Sequence, residues 1–186
     1  MTHHASADWR LGRAAVFAAL PPPWPEDLGP ALRQAVESRA ETVVVLDDDP
    51  TGTQTVHDVP VLTDWAAATL RAELAAAPRA LYILTNSRSL PLEQAQAINR
   101  EVGHNLLAAA RAPDRRFVVV SRSDSTLRGH FPGELNALEL ALGQPFDAWI
   151  VLPYFEAGGR YTIGDTHYVA QGDWLVPAGA TEFARD

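Results

Sequence analysis

Thr42-Val43-Val44-Val45-Leu46-Asp47-Asp48-Asp49-Pro50-Thr51-Gly52 is a β-branched, apolar run that ends on three carboxylates, a proline and a glycine. The absence of polar alternation over its first five residues predicts a buried strand of a parallel sheet. The polar residues that follow predict a sharp exit from that sheet. Three further runs repeat the theme: Ala80-Leu81-Tyr82-Ile83-Leu84, Phe117-Val118-Val119-Val120 and Ala148-Trp149-Ile150-Val151-Leu152. Helices are predicted between them, over Asp64 to Ala76, Leu92 to Arg111 and Pro132 to Leu142. Strands alternating with helices indicate an α/β fold, a mostly parallel sheet with helices on both faces. Beyond Pro153 the pattern loosens, interrupted by Gly158, Gly159, Gly164, Gly172 and Gly179.

Upstream of Thr42, two helical pieces are predicted, Leu11 to Leu20 and Leu28 to Arg39. Pro21-Pro22-Pro23-Trp24-Pro25 separates them, a run that no helix continues through. Residues 1–40 therefore read as an N-terminal helical extension, and 41–186 as one α/β domain, a normal size for a single core.

Composition removes several classes of function. Net charge is −8, which disfavours nucleic acid or an anionic membrane as partner. No apolar run approaches the ~20 residues that span a bilayer. No basic-then-apolar leader opens the chain, so a cytoplasmic location is the default expectation. Without cysteine there is no disulfide, thiolate nucleophile or cysteine-ligated zinc. All 15 basic residues are arginine, so a phosphate-binding loop ending in lysine is excluded.

Ligands of open parallel sheets bind beyond the carboxyl ends of the strands. Each predicted strand here runs into hydrogen-bonding residues: Asp47 to Thr53, Thr85 to Ser89, Ser121 to His130, and Pro153 through Gly158-Gly159 to Arg160. A single polar site at the strand C-terminal ends is the expectation. Asp47 reads as a helix cap, whereas Asp48 and Asp49 read as functional carboxylates. Arg122 and Arg128 flank Ser123, Asp124 and Ser125, and arginine forks suit a carboxylate or phosphate. Aspartates that accept hydroxyls beside arginines that hold a carboxylate would suit a small polyhydroxy acid. The histidines lack metal-ligand spacing, so no metal ligand is expected; His130 and His167 border the clusters as acid–base candidates. No Gly-x-Ser-x-Gly or Gly-x-Gly-x-x-Gly fingerprint follows any strand.

Three segments together carry a family resemblance. Asp48-Asp49-Pro50-Thr51-Gly52 resembles the Asp-Asp-x-Thr-Gly motif of the four-carbon acid sugar kinases, which act on threonate, erythronate and 3-oxo-tetronate. Ser123-Asp124-Ser125-Thr126 with Arg128-Gly129 resembles their second motif. Pro153 to Thr162 with Gly164-Asp165-Thr166-His167-Tyr168-Val169 resembles their third. The likeness extends from Thr42 to Asp186. It implies a sugar-acid-binding N-terminal domain that works with a C-terminal nucleotide-binding domain, the partner that holds ATP and Mg2+. This chain matches the first domain only and is expected to be inactive alone. The implied catalytic residues are Asp48 and Asp49. The implied substrate contacts are Arg122, Ser123, Asp124, Ser125, Arg128, Gly159, Arg160, Asp165 and His167. A small-molecule sugar acid is the implied ligand, and a homo-oligomer is among the partners considered.

Two rival readings compete. Asp47, Asp49 and Thr51 satisfy the Asp-x-Asp-x-Thr spacing of haloacid-dehalogenase-like, Mg-dependent phosphatases, whose first aspartate is the nucleophile. Such enzymes usually hold the phosphate with a lysine, which this chain lacks. The other rival is a non-catalytic sugar-acid-binding or regulatory module.

Overall fold

A computed structural model of the protein describes residues 9–111, 114–126, 128–143 and 145–184. The chain forms two units: Leu28–Asp124 with Gly129–Trp149, and Met1–Asp27 with Ser125–Arg128 and Ile150–Asp186. In chain order the elements are β1 (Leu11–Gly12), α1 (Arg13–Ala18), α2 (Gly29–Ser38), β2 (Glu41–Asp47), β3 (Val61–Leu62), α3 (Ala67–Ala75), β4 (Ala80–Leu84), α4 (Leu92–Arg111), β5 (Arg116–Arg122), α5 (Gly133–Leu142), β6 (Arg160–Ile163), β7 (Thr166–Gln171) and β8 (Trp174–Pro177). The α1 and α2 helices stand where the N-terminal helical pieces were expected, with the exposed prolines between them.

The first unit is the α/β fold that the strand–helix alternation predicts. Its four strands lie in the order β3-β4-β2-β5, and each pairing is parallel. Val44 and Leu46 of β2, with Leu81 and Ile83 of β4, form one core with Leu70 and Leu74 of α3, Val102 and Leu106 of α4, and Leu138 and Leu142 of α5. Leu70, Leu74, Leu81, Ile83 and Leu106 are fully buried, each contributing about 1.5–3 kcal/mol relative to exposure. All three of these helices share that one core. Strand side chains alternate between faces, and Val43, Val118 and Val120 of the opposite face remain substantially exposed. Val45, on that same face, is buried.

The fourth predicted strand does not form: residues 148–152 carry no strand pairing, and Ile150 and Leu152 are 93% and 79% exposed. Strand propensity is local, but a strand exists only where a neighbour pairs with it.

The second unit contains an antiparallel sheet in the order β1-β8-β7-β6. The sequence pattern did not reveal it, because the glycines that build it read as interruptions. Gly164-Asp165 joins β6 to β7, and Gly172-Asp173 joins β7 to β8, each as a two-residue turn between paired positions (Ile163 with Thr166, Gln171 with Trp174). Both glycines have positive φ, 57° and 59°, which two-residue hairpin turns demand and side-chain-bearing residues resist.

Candidate functional site

β2, β4 and β5 end in register, Asp47 opposite both Leu84 and Arg122. The loops that follow these strands bring three of the four predicted polar clusters together. Their centre is Arg88, in the turn after β4, which was absent from the expected contacts. Its guanidinium donates to Asp48 Oδ1 at 2.7 Å and Oδ2 at 3.3 Å, and to Asp49 Oδ2 at 2.9 Å. Asp124 Oδ1 lies 3.6 Å away. Burial pulls the Arg88 pKa down, but the bond to Asp48 and the charges of Asp48, Asp49 and Asp124 outweigh it and raise it. Arg88 was missed because its partners come from strands that are neighbours in space, not in sequence.

Asp48 is almost wholly buried, and its Oδ2 also accepts the Ser123 hydroxyl at 2.6 Å. Asp49 is partly exposed. Its Oδ1 accepts the amide and the hydroxyl of Thr51, and these bonds, with help from Arg88 and Arg122, hold its carboxyl below the ordinary value of 3.8 against a smaller effect of burial. Asp47 is not the helix cap expected of it. Fully buried, it accepts Arg122 Nη1 at 3.1 Å and the Asp49 amide at 3.3 Å, both on Oδ1. Its Oδ2 has no partner among the described residues. Burial pushes the Asp47 carboxyl up, against the pull of Arg122.

Two motif glycines have a steric cause in this packing. A Cβ on Gly52 would lie 1.9 Å from Asp47 Oδ2 and 2.0 Å from Arg122 Nη1. One on Gly129 would lie 2.1 Å from Ser123 Oγ and 3.2 Å from Asp48 Oδ2. Backbone therefore sits directly against both buried aspartates, where no side chain fits.

The Ser123-Asp124-Ser125-Thr126 segment divides between units after Asp124. In the second unit, the Ser125 carbonyl accepts a hydrogen bond from His167 Nε2 at 2.5 Å, and the Thr162 hydroxyl, 3.1 Å from His167 Nδ1, donates to Pro153 O. His167 is thus a buried tie between segments. Arg128 and Arg160 both stack on Phe183, at 5.3 and 4.8 Å from its ring centroid. Arg160 donates Nη1 to the Gly158 carbonyl, while its buried Nε has no partner among the described residues. Gly159 turns the chain into β6, its amide on Glu156 O and its carbonyl accepting from Ala170. Asp165 is exposed in the first hairpin turn and lines a cavity of about 440 Å³ with Thr126, Thr166, His167 and Gly179. His130, in the first unit, donates to Leu90 O.

Among the described residues, no three His, Asp or Glu side chains are arranged to hold a metal ion. The acidic cluster is answered by arginine, and no lysine is present. Among the described residues, carboxylates already held by arginine do not fit a Mg2+ site. No described helix is long and apolar enough to cross a membrane.

Compared with known families, residues 43–186 match the sugar-binding N-terminal domain family. The chain belongs to that family. A search of curated proteins found no match. The sugar-binding domain so defined begins within β2 and takes in the whole Arg88 cluster, Arg128, Arg160 and His167; α1 and α2 lie outside it.

Proposed function

We propose that this sugar-binding domain is the substrate half of an ATP-dependent, cytoplasmic kinase that phosphorylates a hydroxyl of a four-carbon sugar acid. The observation that carries the reading is the cluster of Asp48, Asp49 and Asp124 around Arg88 at the strand ends of a sugar-binding family member. Carboxylates fixed in this way are ready acceptors for sugar hydroxyls, and ordered acceptors lose little entropy when a ligand arrives. ATP and Mg2+ fall to a separate nucleotide-binding domain, since carboxylates already held by arginine do not fit the metal.

The two candidate catalytic aspartates take different roles. Asp48 is buried and already holds Arg88 and Ser123, so it positions the cluster. Asp49 is the more accessible, so it is the carboxylate placed to accept a hydrogen bond from the reacting hydroxyl and orient it. Ser123 and Arg122 are engaged by Asp48 and Asp47, which makes them supports of the cluster. Arg128 and Arg160 are the candidates for the substrate carboxylate. The phosphatase alternative requires an exposed Asp47 as nucleophile, and Asp47 is fully buried with an oxygen on Arg122.

The test is phosphorus NMR with ATP, Mg2+ and a panel of four-carbon sugar acids, alongside calorimetric binding of the same acids to this chain. The expected result is binding by the chain alone and a new phosphomonoester signal only when a nucleotide-binding domain is supplied. Binding without phosphorylation in the presence of that domain would leave a regulatory module. Phosphate release from added phosphomonoesters by this chain would restore the phosphatase.

A further inference from the structure

Glu134, on the first turn of α5, is a buried carboxylate that the site described above does not use. Asp47 and Asp48, the other buried acids among the described residues, are each paired with an arginine. The hydrogen bonds of Glu134 come instead from neutral groups: the Ser87 hydroxyl at 2.5 Å and Asn99 Nδ2 at 2.9 Å, both on Oε1. Burying an ionisable group against neutral donors is costly, and an apolar side chain would fill the same space more cheaply. The N-terminal turn of α5 offsets part of that cost.

What the carboxylate achieves is visible in its partner. Ser87 is fully buried and immediately precedes Arg88. Asn86, on the other side, is in the left-handed region at φ 51°, so the turn leaves β4 through a conformation that needs external support. The Arg88 amide donates to Asp48 O at 3.2 Å, which fixes one side of the turn to the residue that follows β2. Glu134 fixes the other side to α5, and Asn99 ties that carboxylate to α4.

We infer that Glu134 is a positioning residue: through Ser87 it sets the turn that aims Arg88 at Asp48, Asp49 and Asp124. Its functional meaning rests on the sugar-acid reading, but its structural content does not.

The experiment therefore has two readouts on this chain. The first, without ligand, is the exchange of the Arg88 Nε proton, which is bonded to Asp48, followed by nitrogen-15 NMR. The second is calorimetric affinity for the sugar-acid panel. Glu134→Leu and Ser87→Ala should each speed Arg88 Nε exchange and weaken acid binding by about tenfold, the size expected when a buried bond is broken. Glu134→Gln keeps an acceptor oxygen and should restore most of both. Asn105→Ala breaks a bond to Trp65 O elsewhere in the same unit and should lower stability without moving either readout. Ser87→Ala removes only a hydroxyl, so the test survives if Glu134→Leu fails to fold. Unchanged Arg88 exchange in Ser87→Ala would overturn the proposal. Altered exchange in a protein that binds no panel acid would uphold the positioning role and remove the sugar-acid reading.

Discussion

Charge is handled in opposite ways in the two units. At the strand ends of the parallel sheet, Asp47, Asp48, Asp49 and Asp124 share Arg88 and Arg122, and each of the four lies within ion-pair distance of a guanidinium. In the antiparallel unit, Arg128 and Arg160 rest on the Phe183 ring, and the buried Arg160 Nε has no partner among the described residues. The first arrangement is a framework whose charges hold one another, with Asp49 more accessible than Asp48. The second holds its cations against an aromatic ring, with Arg160 also donating to the Gly158 carbonyl.

The largest effect that would separate the two regions is loss of an arginine from each. Arg88→Ala leaves Asp48 buried without its counter-ion, and destabilisation of about 3–5 kcal/mol is expected in urea unfolding. Arg160→Ala should cost less than about 1 kcal/mol, the order of a partly exposed cation–aromatic contact, while weakening acid binding. Equal losses of stability would break the contrast.

Glycine substitutions sharpen it further. Gly52→Ala and Gly129→Ala drive a methyl into the aspartate cluster and should each cost about 1–3 kcal/mol. Gly179→Ala, in the antiparallel unit, meets nothing within 4 Å and should stay within about 0.5 kcal/mol of the parent. Thermal unfolding of the three variants side by side decides whether the cluster is as tightly packed as its geometry states.

The strands at 42–46, 80–84 and 117–120 were legible because each declares itself through consecutive apolar residues, and the helix over Leu92–Arg111 because Ala95, Val102, Leu106 and Ala109 recur at helical spacing among polar residues. Ala148 to Leu152 has the same local signature, yet pairing is not local, and no strand forms. Gly164-Asp165 and Gly172-Asp173 did carry a hairpin signal, hidden because each flanking strand is only four to six residues long. At the site, Asp48, Asp49, Ser123 and Asp124 were legible as motif residues and do converge. Arg88 and Glu134 were not, since their importance arises from strand order and from a helix returning to the sheet.

A smaller effect is expected at the aromatic itself. Phe183→Leu keeps an apolar surface but removes the ring, and stability should fall by only about 0.5–1 kcal/mol. Affinity for a sugar acid should fall with it if Phe183 holds both guanidinium groups in place, and calorimetry on the same variant reads this directly.

The smallest effect is one of slope, and it distinguishes neighbouring aspartates within the cluster. The folded pKa of Asp49 lies below 3.8, chiefly through Thr51, so the unfolded chain takes up its proton first on acidification. Its stabilising contribution is complete above the unfolded value and is lost as pH falls through the depressed folded one. Asp47 has the opposite sign. Burial raises its folded pKa above 3.8, so its contribution is present below the unfolded value and fades as pH rises through the raised one. Urea midpoints from neutral pH downward should therefore show Asp49→Asn flattening the acid loss of stability and Asp47→Asn steepening it. Slopes that change in the same direction would mean that the two carboxylates share one environment, and that Arg122 and Arg88 do not divide the cluster between them.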